Sequence, residues 1–424
     1  MTLLITNARL IDPASGRDAQ GDVFIAKGRI AALDADARAA KAAQTLDASG
    51  LVVAPGLIDL AARLREPGEE YKATLESEMD AAVAGGVTSL ACPPDTDPPL
   101  DEPGLVEMLR RRARALARAR LYPVGALTVK LQGETLTEMS ELADSGCVAF
   151  SQANVALLDT QMLWRALQYA GSFGFSVWLR PLEPWLMRGV AHDGEVATRL
   201  GLAGIPSFAE TIALGTILEI VRATGTRVHL CRLSTAGAVA MVRAAKRERL
   251  PVSCDVGVHH LHLCDVDLGY FDALCRLDPP LRAQRDRDAL SEGLADGTID
   301  CLCSDHTPVD DDAKHQPFAE AAPGATGLEL LLPLTLRWGV MKKRSLLQTL
   351  ARITSDPARI LGVQSGRLEV GAPGDIVVFD PDAPVRITAA GLKSQGKNTP
   401  FLGYELPGRV RATVVAGKVV YEQE

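Results

Sequence analysis

Between residues 87 and 303, short apolar runs alternate with longer helical stretches. This alternation constrains the chain more than any other feature. The runs are 87–92, 147–150, 176–179, 227–231, 252–256 and 299–303. Each is followed by a polar or Gly/Pro-containing segment and then by a helical stretch. Strands spaced in this way by helices predict βα units and a parallel sheet. One more strand precedes them. Residues 55–59 are apolar and run out into a loop that carries Arg63, Arg65, Glu66 and Gly68. Such strand ends are where a (β/α) barrel places its chemistry.

The two ends of the chain have a different texture. Short alternating runs at 3–5, 23–25 and 29–33 are punctuated by Asp18, Gly21 and Gly28, which are hairpin signals. Similar runs return at 374–380, 385–387 and 410–421. Both ends are expected to form one small β-sandwich, a composite domain of residues 1–54 plus 370–424. The barrel would then occupy residues 55–369. A length of 424 residues allows this, since one barrel needs about 250.

Charge narrows the range of partners. The net charge of −8 does not favour a nucleic-acid surface. No apolar run is long enough to span a bilayer. The first residues form a short strand without a basic region, so they do not read as a signal peptide. The eight cysteines lie mostly in apolar runs and read as buried, reduced thiols of a cytoplasmic protein. Cys301 and Cys303 alternate along one strand with no second pair nearby, so they do not read as a metal site. One predicted helix gathers Arg110, Arg111, Arg112, Arg114, Arg118 and Arg120, either as a solvated face or as a contact for an acidic protein.

Several motifs together resemble the dihydroorotases, a branch of the amidohydrolase superfamily. They include residues 55–59, Arg65-Glu66-Pro67-Gly68, Leu233-Ser234-Thr235-Ala236, Pro279-Pro280-Leu281-Arg282, Ser304-Asp305-His306 and Asn398-Thr399-Pro400-Phe401. The resemblance implies an α/β fold with a (β/α)8 TIM-type barrel. It also implies a pair of bridged divalent metals that generate hydroxide for opening a cyclic amide. In that family the first strand ends in His-x-His, where this chain has Ala61 and Arg63. A carboxylate motif becomes Phe150-Ser151-Gln152-Ala153-Asn154, so Gln152 and Ala153 stand in its place. Two later histidine positions hold Arg180 and Arg232. Only Asp305 keeps its identity, and arginine has no lone pair to offer a metal. No cofactor or metal is therefore expected, and Asp305 is vestigial.

On the substrate side, the resemblance makes Arg65 a carboxylate clamp. Asp95 and Asp278 would bring negative charge to the same place. Arg63, Arg180 and Arg232 are expected to neutralise Asp59, Asp95, Asp278 and Asp305 in a buried charge network. His259 and His260 are read as a hydrogen-bonded pair, His306 as a loop anchor, and residues 314–327 as a mobile segment or a partner contact.

The resemblance extends to inactive dihydroorotase-like chains of bacterial pyrimidine synthesis. It implies a non-catalytic subunit that supports assembly and activity of the aspartate carbamoyltransferase catalytic chain, with self-association as well. Two alternatives stand beside this reading. One is a module that binds an anion such as a pyrimidine intermediate. The other is a metal-independent cyclic amide hydrolase with Asp305 as its base.

Overall fold

The structure, a computed structural model, describes residues 2–423. Eight parallel strands follow one another round a nearly closed barrel. They are Leu57–Asp59, Val87–Cys92, Arg120–Ala126, Ala149–Ser151, Val177–Leu179, Val228–Leu230, Val252–Gly257 and Cys301–Cys303. The seam lies between the last strand and the first, and it is stitched just past their ends. His306 N–H donates to Ala61 O at 3.1 Å, and Arg63 N–H donates to His306 O at 2.9 Å.

Alternation along each strand sorts the side chains. In the fifth strand Val177 and Leu179 pack outward against the helices. Trp178 points into the barrel with Ile58, Ala91, Val124, Ala149, Cys301 and Cys303. Burial raises both of these thiols well above their usual range.

The third strand was not among the predicted runs. It opens with Arg120 and contains Pro123, and both residues disguise a strand. Arg118 and Arg120, expected on the charged helix, lie beyond it. Helix Pro103–Leu116 ends where Ala117 turns left-handed, at φ 52°. Residues 314–327 are anchored, contrary to expectation. Lys314 is buried and donates to Ala273 O and Arg276 O, and Phe318 packs into the core.

The chain ends meet in one eight-stranded sheet. Its order is Lys418–Glu422, Glu405–Val415, Ile376–Arg386, Val52–Pro55, Thr2–Asp12, Arg17–Ala26 and Arg29–Leu33, with Gln44–Asp47 also paired to Thr2–Asp12. Ile376 and Val378 face a core of Leu3, Ile5, Val23, Ile25 and Val414. Val377 and Phe379, on the opposite face, join the barrel core. Asp375 links the two bodies. It accepts both hydrogen bonds of a forked pair from Arg120, at 2.7 and 3.0 Å, and one from Ala416 N–H at 2.8 Å. Among the described residues no helix is long and apolar enough to cross a membrane.

Candidate functional site

The barrel's C-terminal mouth brings the singled-out residues together. Arg63 follows the first strand, Arg180 the fifth and Arg232 the sixth; Asp305 follows the eighth. Arg65, Ala153, Arg232 and Asp305 all have left-handed backbones, with φ between 47° and 61°. Such geometry costs about 1–3 kcal/mol per residue and persists only where the surroundings impose it. Here the strand ends and the seam impose it.

All three arginines point inward, each less than a tenth exposed. Arg63 Nε donates to Asp95 Oδ2 at 2.7 Å. Its Nη1 donates to Thr307 Oγ1 at 3.1 Å and, more loosely, to Asp305 Oδ1 at 3.4 Å. Arg180 grips Asp278 with both terminal nitrogens, one contact being 2.6 Å. Arg232 Nη1 donates to Asp305 Oδ1 at 3.0 Å. Arg180 and Arg232 also share Asn154 Oδ1 as an acceptor. Three guanidiniums therefore face three carboxylates, and the charge of the cluster closes on itself.

The protonation balance follows from this pairing. Burial alone would raise Asp95 and Asp278. The guanidinium of Arg63 overrides it at Asp95 and that of Arg180 at Asp278, holding both below the usual carboxylate range. Burial alone would lower Arg232, and Asp305 reverses this. Both directions favour the charged pair.

Asp59 departs from the expected network. It accepts from Ser304 N–H at 2.8 Å and from Ser304 Oγ, and no arginine reaches it. It lies within the first strand, beneath the ring of arginines, and burial raises its pKa. Arg65 is spent within the chain. Its Nε donates to Pro308 O at 2.9 Å and its Nη1 to Glu69 at 2.7 Å. Gln152 turns aside, accepting from Thr128 Oγ1 at 3.0 Å and donating to Leu131 O at 2.7 Å. Ala61 lines a small cavity with Leu60, Pro93, Trp178 and Arg232.

His259 and His260 do not bond each other. They reach Thr326 O at 3.2 Å and Pro279 O at 3.0 Å. His306 anchors its loop through Glu78, at 2.6 Å. Asn154, Thr307 and Glu78 were not singled out by sequence reasoning. Asn154 was legible within the altered carboxylate motif, whereas nothing in the sequence pairs Glu78 with His306.

A binuclear metal pair does not fit this donor set. The ring that would hold it is made of guanidiniums, and the retained Asp305 is already paired. His229, Cys231 and Asp255 do come within 4.8 Å of one another inside the barrel. There His229 spends Nδ1 on Ser253 Oγ at 2.8 Å and Nε2 on Asp255 at 3.0 Å. Asp255 also accepts from Arg232 N–H, so His229 and Asp255 are already satisfied within the chain.

Comparison with known proteins bears on the family and the fold. A dihydro-orotase-like family model matches residues 50–238, and an amidohydrolase family model matches residues 181–421. A dihydroorotase-like protein of Pseudomonas aeruginosa is 44% identical over 423 residues, covering 100% of both chains. One from Pseudomonas putida is 43% identical, again covering 100% of both. A protein named dihydroorotase from a Geobacter species is 40% identical with the same coverage. Among solved structures, an L-hydantoinase of Arthrobacter aurescens superposes with a TM-score of 0.88 at 24% identity, covering 99% of this chain and 96% of its own.

Proposed function

Starting from the dihydroorotase-like amidohydrolase family, to which this chain belongs, we propose that it is a non-catalytic subunit. It supports assembly and activity of the aspartate carbamoyltransferase catalytic chain in pyrimidine biosynthesis, in the cytoplasm. The observation that carries this reading is the closed ring of Arg63, Arg180 and Arg232 with Asp95, Asp278 and Asp305. Opening a cyclic amide near neutral pH needs a hydroxide generated between two cations. Three fixed guanidiniums repel cations and supply no ligand. Asp305 is held by two of them, which leaves it without a free position facing a substrate and weighs against a metal-independent hydrolase. Anion capture is weakened by the same pairing, because Arg65 and the ring spend their donors inside the chain. A fold kept whole around a filled site supports a role carried by its outer surface.

The test is co-expression with the same organism's transferase, followed by light scattering after gel filtration. The expected result is one large species containing both chains, with transferase activity lost when this chain is omitted. Separate peaks with a fully active transferase overturn the assembly role. Two bound metals per chain together with dihydroorotate hydrolysis overturn the non-catalytic role.

A further inference from the structure

The terminal sheet meets the barrel along strand Glu405–Val415, which packs on helix Leu331–Met341. Gly408 allows the close approach. A Cβ there would collide with Leu336, and its φ of 97° is one that glycine adopts freely. Beside this contact the two bodies part and leave a cavity of about 340 Å³. Its apolar walls include Pro333 of the helix, Val385 and Ile387 at the end of strand Ile376–Arg386, Leu392 of the following connection, and Tyr421 of the last strand. Ligand pockets run from about 300 to 1,000 Å³ and are mostly apolar with a few polar groups. This one lies at the lower end, so it suits a small molecule. No residue of the ring at the barrel mouth lines it.

The polar groups of the cavity are not spent. Arg409 donates Nη2 to Pro384 O at 2.6 Å, but its Nε is buried and has no partner among the described residues. Gln423 likewise keeps one end of its side-chain amide buried and unpaired. Native structures leave few buried polar atoms in this state. A water molecule would need about two to four polar partners to be held there, and these walls offer few.

Charge narrows the ligand. Arg386, Lys393 and Arg409 line the cavity against a single carboxylate, Glu329. Both oxygens of Glu329 are already taken, by Lys393 N–H at 2.8 Å and Ser394 N–H at 3.2 Å. Burial, and after it Glu329, raises the Tyr421 hydroxyl, so the phenol stays protonated and can donate. The connection that closes the cavity is fixed in advance. Lys397 Nζ donates to Leu392 O at 2.7 Å, and Gly391 N–H donates to Thr388 Oγ1 at 3.1 Å. A site ordered before binding keeps more of its contact energy as affinity. Positive charge and a buried N–H ask for an anionic acceptor. Apolar walls ask for a ring, and they disfavour phosphate, whose hydration they cannot replace.

We propose that this cavity between the barrel and the terminal sheet binds a small cyclic carboxylate, the ring held by the apolar walls and the carboxylate by Arg409. The site goes beyond the subunit reading and does not depend on it, because it concerns this chain alone.

The experiment is titration calorimetry of the full chain at pH 7.5 with benzoate, benzamide, acetate and inorganic phosphate. Benzoate is expected to bind with a Kd of about 1 mM or tighter. Benzamide, which keeps the ring and loses the charge, is expected to bind roughly tenfold more weakly. Acetate and phosphate are expected to give no heat of binding. Arg409→Gln removes the buried donor and Val385→Trp fills the hollow. Each is expected to weaken benzoate by roughly tenfold or more. Hydrogen exchange of the unsubstituted chain gives a readout that needs no variant to fold. Benzoate should slow exchange at residues 387–393 and 418–423. Absence of benzoate binding up to about 10 mM overturns the proposal. So does equal affinity for benzamide, unchanged affinity in both variants, or protection confined to the barrel mouth.

Discussion

A buried ion pair is worth little compared with its apolar replacement, yet breaking it from one side is expensive. This asymmetry gives the barrel mouth a specific signature. Arg180 and Asp278 form a forked pair, with the Asp278 side chain 28% exposed and the Arg180 side chain 4%. Arg180→Met leaves the Asp278 carboxylate without its forked partner; with Arg232 nearby and the carboxylate partly exposed, it is expected to cost about 2–3 kcal/mol in urea unfolding. Adding Asp278→Leu to that variant is expected to recover most of the loss, and additive losses would refute the pairing. The same ring predicts indifference to metals. Zinc or manganese at 100 µM and excess chelator should each leave the melting temperature within about 1 °C, because a ligand stabilises only what it binds. The identities of these arginines were legible in the sequence, because each fills a strand-end position that the family motifs mark. Their partners were legible in part. Asp95, Asp278 and Asp305 were foreseen, but Asp59 was wrongly included. Its strand position does not disclose that Ser304, across the barrel seam, satisfies it first.

Single side chains also tie elements together over distances that no local pattern records. Glu78, fully buried on helix Leu75–Ala84, accepts from His306 Nε2 at 2.6 Å, Ser394 Oγ at 2.7 Å and Gln395 N–H at 2.9 Å. It joins the helix, the loop after the eighth strand, and the C-terminal connection. Glu78→Ala orphans three donors at once. At about 1–3 kcal/mol for each unsatisfied buried group, relieved in part by water, a loss of roughly 3–5 kcal/mol is expected on chemical denaturation. Glu78→Gln should recover part of it. The sequence shows only an acidic residue in the first turn of a helix, where the helix dipole already explains it. Strands were legible wherever apolar side chains lined both faces, as at Val87–Cys92. The third was missed because Arg120 serves Asp375 in the other sheet, a tertiary reason to begin a strand with a charge.

At the scale of the molecule, the barrel and the terminal sheet are distinct in topology but not in packing. Val377 and Phe379 extend the barrel core into the sheet, while Ile376 and Val378 build the sheet's own core. One strand thus belongs to both cores, so neither body can open without exposing the other's apolar face. A single cooperative unfolding transition is expected, with coincident midpoints by tryptophan fluorescence and far-ultraviolet circular dichroism. Asp375→Ala removes the fork to Arg120 and should lower that midpoint without splitting it; two separated transitions in the unsubstituted chain would contradict the shared core. Acid should act on the whole molecule through its buried histidines. Burial pushes His259 down to about 4 and His262 to about 3. An unfolded histidine takes up its proton near pH 6.5, so between about pH 6.5 and 4 the unfolded chain binds more protons than the folded one. Stability must therefore fall as pH falls through that window. Asp95 and Asp278 add a second loss only below about pH 4, where unfolded carboxylates protonate before the paired ones. Among the described residues His262 Nδ1 has no partner, so His262→Leu gives up one hydrogen bond, to Leu334 O, and removes one titrating group. In urea titrations at pH 7.5 and 4.5 this variant is expected to lose less stability between the two values than the unsubstituted chain. An equal loss would place the acid sensitivity elsewhere in the molecule.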